Sequence, residues 1–287
     1  MIGQEWKNTL AIQQDGALYP SAWKTISDAP ETLYAIGNIQ LLKERKLTVV
    51  GSRRTPAHAL KIGTQIAKGL SDEFVIVTGT ADGGDGAAIE GALLGSGKII
   101  CLLAGGFSAI PQGNLSLLKC VAERGLLLSP YPYETPVRSF SYEYRNKLLA
   151  AMGEGTLVLG AAEKSGALIT AKYAKQYKKP IFALPYAPGS AAGEGCNKLI
   201  KQGGYLTETA TDVLAVFGIE KSDKKPTILL SPDEEKLYEA LRDMGEGHIG
   251  ELASKAGIPA FKARAVLSSL EVKGLAVALG GNRYSVL

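Results

Sequence analysis

The sequence predicts an α/β protein: a doubly wound, mostly parallel sheet followed by a small C-terminal winged helix-turn-helix domain. Three observations predict it. From Leu47 to Leu184, short apolar and β-branched runs alternate with segments of helical period. Those runs are apolar throughout instead of alternating with polar residues, as strands are when helices cover both faces of a sheet. Beyond Pro226 the pattern changes to three closely spaced helical segments and a glycine-centred hairpin.

Taken in order, residues 1–46 read as a lead-in packed on the sheet, punctuated by turns at Tyr19-Pro20, Ala29-Pro30 and Gly37-Asn38. Residues 47–217 form the sheet domain. Its strands are expected at 47–50, 74–77, 98–103, 125–128, 156–159 and 181–184, and its helices at 57–70, 84–94, 115–123, 142–152 and 167–177. Residues 218–230 are polar and short, as a linker is. In the last segment, 231–287, Ser231-Pro232-Asp233-Glu234 carries an N-cap serine, a first-turn proline and acids at the positive end of a helix dipole. Leu237, Leu241 and Met244 make the apolar stripe of that helix. Helices over 249–256 and 260–273 follow, and then a hairpin around Gly280-Gly281-Asn282.

Composition excludes several classes. Hydrophobic residues make up 46% of the 287 and charged ones 21%, as in a soluble globular protein. No stretch reaches the roughly 18 uninterrupted apolar residues of a transmembrane helix. Met1 to Leu10 lacks the apolar core of a signal peptide. The three cysteines, 101, 120 and 196, lie far apart with no C-x-x-C, so neither a zinc site nor a disulfide framework is expected. A reducing, cytoplasmic setting with no membrane partner follows. The net charge of +4 permits a polyanionic partner without requiring one.

In an open parallel sheet, ligands bind at the carboxyl ends of the strands. Three such ends are glycine-rich: Gly51-Ser52-Arg53-Arg54, Thr78-Gly79 running to Gly83-Gly84-Asp85, and Ala104-Gly105-Gly106 leading to Asn114. Glycines let a backbone approach an anion and turn its N–H groups toward it. Arginine forks match phosphate geometry. Arg53 and Arg54 end the first strand; Arg145, Asn146 and Lys147 lie on a helix beside Tyr142 and Tyr144, where an aromatic could stack a base. The alternative is that these tyrosines are half-buried core and that the arginines pair with Asp82 or Asp85. No loop reads G-x-x-x-x-G-K-[ST], and no G-x-G-x-x-G follows the first strand. His58 and His248 have no nucleophile beside them and read as surface or capping residues. No cofactor, metal or catalytic set is expected.

Together the motifs resemble the DNA-processing protein A (DprA/Smf) family. The resemblance rests on Leu18-Tyr19-Pro20, Leu33 to Asn38, Val49-Val50-Gly51-Ser52-Arg53, Val75 to Gly79, Asp85, Gly91-Ala92-Leu93, Pro111 with Asn114, Arg145-Asn146-Lys147, Ser165 to Ala171, Phe182 to Pro185 and Gly195 to Ile200. It spans residues 18–215. It implies a Rossmann-like domain that binds single-stranded DNA without sequence preference, assists loading of a RecA-type recombinase in natural transformation, and forms a homodimer. In such proteins the arginine of the G-S-R turn and the basic residues of an R-N-R motif line a positive pocket for the DNA backbone. Arg53, Arg145 and Lys147 hold those positions here, supported by Asn146 and Asn114, with Gly51, Ser52, Arg54, Gly79 and Gly83 completing the phosphate-binding loops.

Four positions depart from the family pattern. Ile89 stands where histidine is usual, Asp82 where a basic residue is common, and Gln112 where relatives often have lysine; the S-E-x-P stretch reads Ser129-Pro130-Tyr131-Pro132. Two lost positive charges are expected to weaken DNA binding and flatten its salt dependence. Residues 226–287 hold seven basic and eight acidic side chains, a poor balance for a duplex reader. Lys262, Arg264 and Arg283 are its candidate contacts, and docking of a protein is an equal alternative. Two further readings of the whole chain stay open: a nucleotide-binding or nucleotide-hydrolysing enzyme of phosphoribohydrolase type, for which Asp82 and Asp85 would suit a ribose or a metal, and a divergent protein-interaction scaffold.

Overall fold

The structure, a computed structural model, describes residues 6–110, 113–220 and 230–286. Most of the expected linker, and Pro111 with Gln112, lie outside the described residues. The chain divides into two compact units, residues 1–220 and 221–287.

The first unit is a nine-stranded sheet. In chain order it runs β1 (Leu10–Gln13), β2 (Thr32–Gly37), β3 (Lys46–Val50), α1 (Ala57–Leu70), β4 (Val75–Thr78), α2 (Gly84–Leu94), β5 (Ile99–Leu102), α3 (Leu115–Arg124) and β6 (Leu126–Ser129). It continues through α4 (Ser139–Met152), β7 (Thr156–Val158), α5 (Gly166–Gln176), β8 (Ile181–Ala183), α6 (Glu194–Lys201), β9 (Tyr205–Leu206) and α7 (Ala210–Val216). The spatial order is β1-β2-β6-β5-β4-β3-β7-β8-β9. All pairs from β6 to β9 are parallel; β1 and β2 add an antiparallel edge.

The expected doubly wound α/β class is what the sheet shows. Neighbouring strand residues feed opposite faces, and both faces are dry. Ile76, Ile99, Cys101, Leu127 and Phe182 join one cluster, with α1 and α2 over it; Val75, Val77, Ile100, Leu128 and Ala183 join the other, beneath α4 and α5. Cys101 is a free, fully buried thiol in this core. Residues 10–13 and 32–37, read from the sequence as lead-in, are strands of the sheet itself. Between them Trp23 is completely buried, and its indole N–H donates to Leu148 O at 2.9 Å, tying the lead-in to α4.

The winding reverses after β3. Strands β4, β5 and β6 are laid down on one side of it and β7, β8 and β9 on the other. The crossover from β6 to β7 runs through α4. The gap between the carboxyl ends of β3 and β7 is therefore the topological switch point, where the two flanking loops leave in opposite directions and open a crevice.

The second unit packs α8 (Pro232–Met244), α9 (Ile249–Ala256) and α10 (Ala260–Val272) on a small antiparallel sheet of β10 (Glu246–His248), β11 (Ala276–Leu279) and β12 (Arg283–Val286). This small helix-and-sheet region fits the expected C-terminal architecture. Ser231 caps α8 with Glu234 returning the bond to its backbone N–H. His248 caps α9, its Nδ1 accepting from Gly250 N at 3.2 Å. Leu237 and Leu241 are buried, whereas Met244, expected in the same stripe, is 37% exposed because α8 ends there. Among the described residues no helix is long and apolar enough to cross a membrane.

Candidate functional site

A cavity of about 340 Å³ occupies the switch point. The β3 end supplies residues 50–54, α4 supplies Tyr142, Arg145 and Asn146, and the start of α5 supplies Ser165, Gly166, Ala167 and Thr170; Ala81 and Asp85 come from the loop and helix after β4.

Glycine builds the cavity by letting two backbone segments touch. A Cβ on Gly84 would lie 2.3 Å from Gly51 Cα, and one on Gly51 2.8 Å from Gly84 Cα. Gly83 has φ +76°, and its Cβ would meet Ser52 O at 2.5 Å. Only glycine serves at such a point. The β3 loop is thereby pressed on the N-terminus of α2, where Gly84 N donates to Ser52 O at 3.2 Å. Asp85 fastens the junction: Oδ1 accepts from Gly51 N at 3.5 Å and Oδ2 from Ala81 N at 3.3 Å.

Arg145 forms the floor. It is 6% exposed, and Asp85 is 4% exposed. Their closest approach, Nη1 to Oδ2, is 3.6 Å, beyond hydrogen-bond range. The Nε and Nη1 of Arg145 are buried with no hydrogen-bond partner, and so is Thr170 Oγ1. Unsatisfied buried donors on a charged group cost free energy unless a ligand completes them. Burial lowers the guanidinium below its usual value, with Asp85 opposing, and burial lifts the Asp85 carboxyl, with Arg145 and the two backbone N–H groups opposing. Gly79 leaves the room for this pair: a Cβ there would fall 1.6 Å from Arg145 Nη1 and 2.3 Å from Asp85 Oδ2.

The mouth is cationic and aromatic. Arg53 and Arg54 are exposed, and the Arg53 guanidinium lies 5.9 Å from the centre of the Tyr142 ring, which is 39% exposed. The third wall is the N-terminus of α5, capped by Ser165 Oγ on Ala167 N at 3.3 Å. Asn146 Nδ2 donates to Gly166 O at 3.2 Å and holds this wall against α4. Buried donors, exposed arginines and a positive helix end all favour an anion.

The residues singled out from the sequence thus separate into groups. Gly51, Ser52, Arg53, Arg54, Arg145 and Asn146 line the cavity. Gly79 and Gly83 sit behind it as spacers. Asn114 stands outside, donating to Ala81 O at 2.7 Å and Thr80 O at 3.3 Å, so it fixes the β4 loop. Lys147 points away from the cavity to the Asp28 carboxylate, and Tyr144 donates to Asp28 O at 2.6 Å. Asp82 lies outside the lining too, against Gly113. Ile89 is fully buried in the core. Ser165, Gly166, Ala167 and Thr170 were not singled out as site residues. Reading the end of β7 as well as those of β3, β4 and β5 would have found them.

In the second unit, Arg264 Nη2 donates to Asn282 Oδ1 at 2.9 Å and Arg283 pairs with Glu246 at 2.9 Å, while Lys262 is exposed at the start of α10.

Fold and site define a doubly wound α/β protein with an arginine-lined cavity at its switch point. The comparisons place it more closely. Residues 10–218 match the family described as DNA recombination-mediator protein A, and the chain belongs to that family. It is 37% identical over 201 residues to DNA processing protein DprA of Streptococcus pneumoniae, covering 69% of this chain and 71% of the relative. It is 30% identical over 289 residues to protein Smf of Escherichia coli, covering 96% and 77%. Among solved structures, DprA of Streptococcus pneumoniae superposes with a TM-score of 0.70 at 33% identity, over 74% of this chain and 75% of that one. DNA processing protein A of Helicobacter pylori, described for its single-stranded DNA binding mode, gives 0.66 at 28% identity, over 73% and 94%.

Proposed function

We propose that this chain binds single-stranded DNA through the cavity at the switch point, without sequence preference and without catalysing a reaction on it. One observation carries the reading: a buried guanidinium whose Nε and Nη1 have no acceptor, at the floor of a cavity with two exposed arginines at its rim. A phosphate entering the cavity brings acceptor oxygens to this guanidinium. Arg53 and Arg54 neutralise neighbouring phosphates, and Tyr142 offers a face on which a base stacks whatever its identity. All these contacts address backbone or π-surface, so none reads sequence. The family and the Helicobacter pylori relative support the same reading.

The acids do not favour the nucleotide-hydrolase reading. Asp85 is occupied by Arg145 and two backbone N–H groups, and Asp82 stands outside the lining. A RecA-type recombinase as partner, a role in natural transformation and a homodimer rest on the family resemblance. The winged-helix reading of the C-terminal unit rests instead on its three helices and terminal hairpin, and two of its three candidate basic residues are engaged within the unit.

Fluorescence anisotropy with a labelled mixed-sequence oligonucleotide, single-stranded against matched duplex at several salt concentrations, tests the proposal. Preferential, salt-sensitive binding of the single strand is expected. Equal or absent binding at low salt contradicts it.

A further inference from the structure

A second cavity, of about 750 Å³, opens at the opposite, amino-terminal edge of the parallel strands. Residues 17–22 and 42–46, the end of α4 at 152–154, Lys179 and Phe217 enclose it. Strand β3 joins the two cavities: Lys46 lines this one and Val50 the other, about 13 Å apart at the rise of an extended chain.

Its charges are unbalanced. Both acids of the lining are already engaged, Glu154 with Arg45 at 2.6 Å and Glu44 with Lys98 at 2.6 Å. Lys46 and Lys179 are half-buried and have no carboxylate within 4.0 Å among the described residues. Each turns instead to the carbonyls that end a helical segment. Lys46 Nζ donates to Leu42 O at 2.7 Å and Glu44 O at 2.5 Å, and Lys179 Nζ donates to Gly153 O at 2.6 Å and to Ala151 O. An ammonium has three N–H donors, so each lysine keeps one beyond these two bonds. Burial pulls both below the usual lysine value, Lys179 to about 8, with Glu154 opposing the fall at both and Glu44 at Lys46.

We infer that this cavity binds a small phosphate-bearing anion, held between the remaining donors of Lys46 and Lys179. Two half-desolvated ammonium groups suit the charge and the several acceptors of a phosphate. The apolar part of the wall, with Leu42, Met152 and Phe217, leaves room for an organic portion of the ligand. The site is separate from the one proposed for DNA and does not rest on it.

Isothermal titration calorimetry of the full chain with inorganic pyrophosphate, and separately with adenosine monophosphate, tests the inference. The variants are Lys46→Met, Lys179→Met and Lys179→Arg. Phosphate held at Arg145 is common to all of them, so the new site is the one the lysine variants remove. The wild type is expected to show a binding event that Lys46→Met and Lys179→Met each weaken about tenfold or more, and that Lys179→Arg keeps. Should Lys179→Met not fold, Lys46→Met and Lys179→Arg decide. Binding of pyrophosphate alone identifies an inorganic anion and binding of both probes a phosphate ester; either supports the site. Titrations of wild type and Lys46→Met that coincide for both probes overturn it.

Discussion

Arg145 Nη1 stands 3.6 Å from Asp85 Oδ2, close enough to balance charge and too far to form a hydrogen bond, with both side chains withdrawn from water. The pair neutralises a buried cation without using up its donors. Removing the carboxylate charge leaves that cation alone. Asp85→Asn is expected to lose about 3–5 kcal/mol of unfolding free energy, read by urea denaturation at neutral pH.

The reverse change is pH-dependent. Burial already raises the Asp85 carboxyl above its unfolded value, and Arg145 opposes the rise. Stability from a raised carboxyl is fully present below the unfolded value and is lost as pH climbs through the folded one. Without Arg145 the folded value rises further, so the loss at high pH grows. Arg145→Met should therefore be markedly less destabilised at pH 5 than at pH 8 in paired denaturation curves. Equal losses at both values would mean that Asp85 stays charged without its partner.

Gly79 has no partner to lose, only space. With a Cβ 1.6 Å from Arg145 Nη1, Gly79→Ala must push the guanidinium out of place. Overpacking of this kind costs about 1–3 kcal/mol. The variant should stay folded by circular dichroism and bind single-stranded DNA about as weakly as Arg145→Met does.

Two basic residues two positions apart on one helix should behave differently. Lys147 is bonded to Asp28 outside the cavity, while Arg145 lies at its floor. Anisotropy titrations should find Lys147→Ala within about threefold of wild type, an effect below about 0.7 kcal/mol. Arg53→Ala should weaken binding at least about tenfold.

That contrast shows where the sequence stops being legible. The helices at 57–70 and 249–256 could be read to the residue, because their apolar spacing is local. Helix α4 begins at Ser139, three residues before the expected Tyr142, because Ser139, Phe140 and Ser141 carry no apolar stripe; Ser141 Oγ accepts from Arg138 N to start the helix there. Strands β1 and β2 were not read, since their pairing depends on β6, far along the chain. Arg53 and Arg145 were legible from strand ends and motif. Lys147 stood in the same motif, and the roughly 200° of helix rotation over two residues sends its side chain elsewhere. Ser165 to Thr170 became site residues through the strand order, which no local pattern records.

In the C-terminal unit, Glu234 gathers Lys273 Nζ at 2.7 Å, Ser269 Oγ at 2.6 Å and Ser231 N at 2.6 Å. These bonds hold its carboxyl down at about 2. Its contribution is present above the unfolded value near 4.5 and is lost as pH falls toward 2. Glu234→Gln should cost this unit about 1–3 kcal/mol at pH 7 and much less at pH 3, since hydrogen bonds to a charged group are the ones removed. Amide exchange across α8 and α10 measures it locally.

The central claim is that the unpaired donors of Arg145 receive a DNA phosphate. Its most direct test is the salt dependence of single-stranded DNA affinity for the wild type and Arg145→Met, measured on folded protein near pH 6. The account predicts weaker binding for the variant and a log–log salt slope shallower by about 0.7 for each phosphate no longer neutralised. Unchanged affinity and an unchanged slope would contradict it and return Arg145 to a purely structural role beside Asp85.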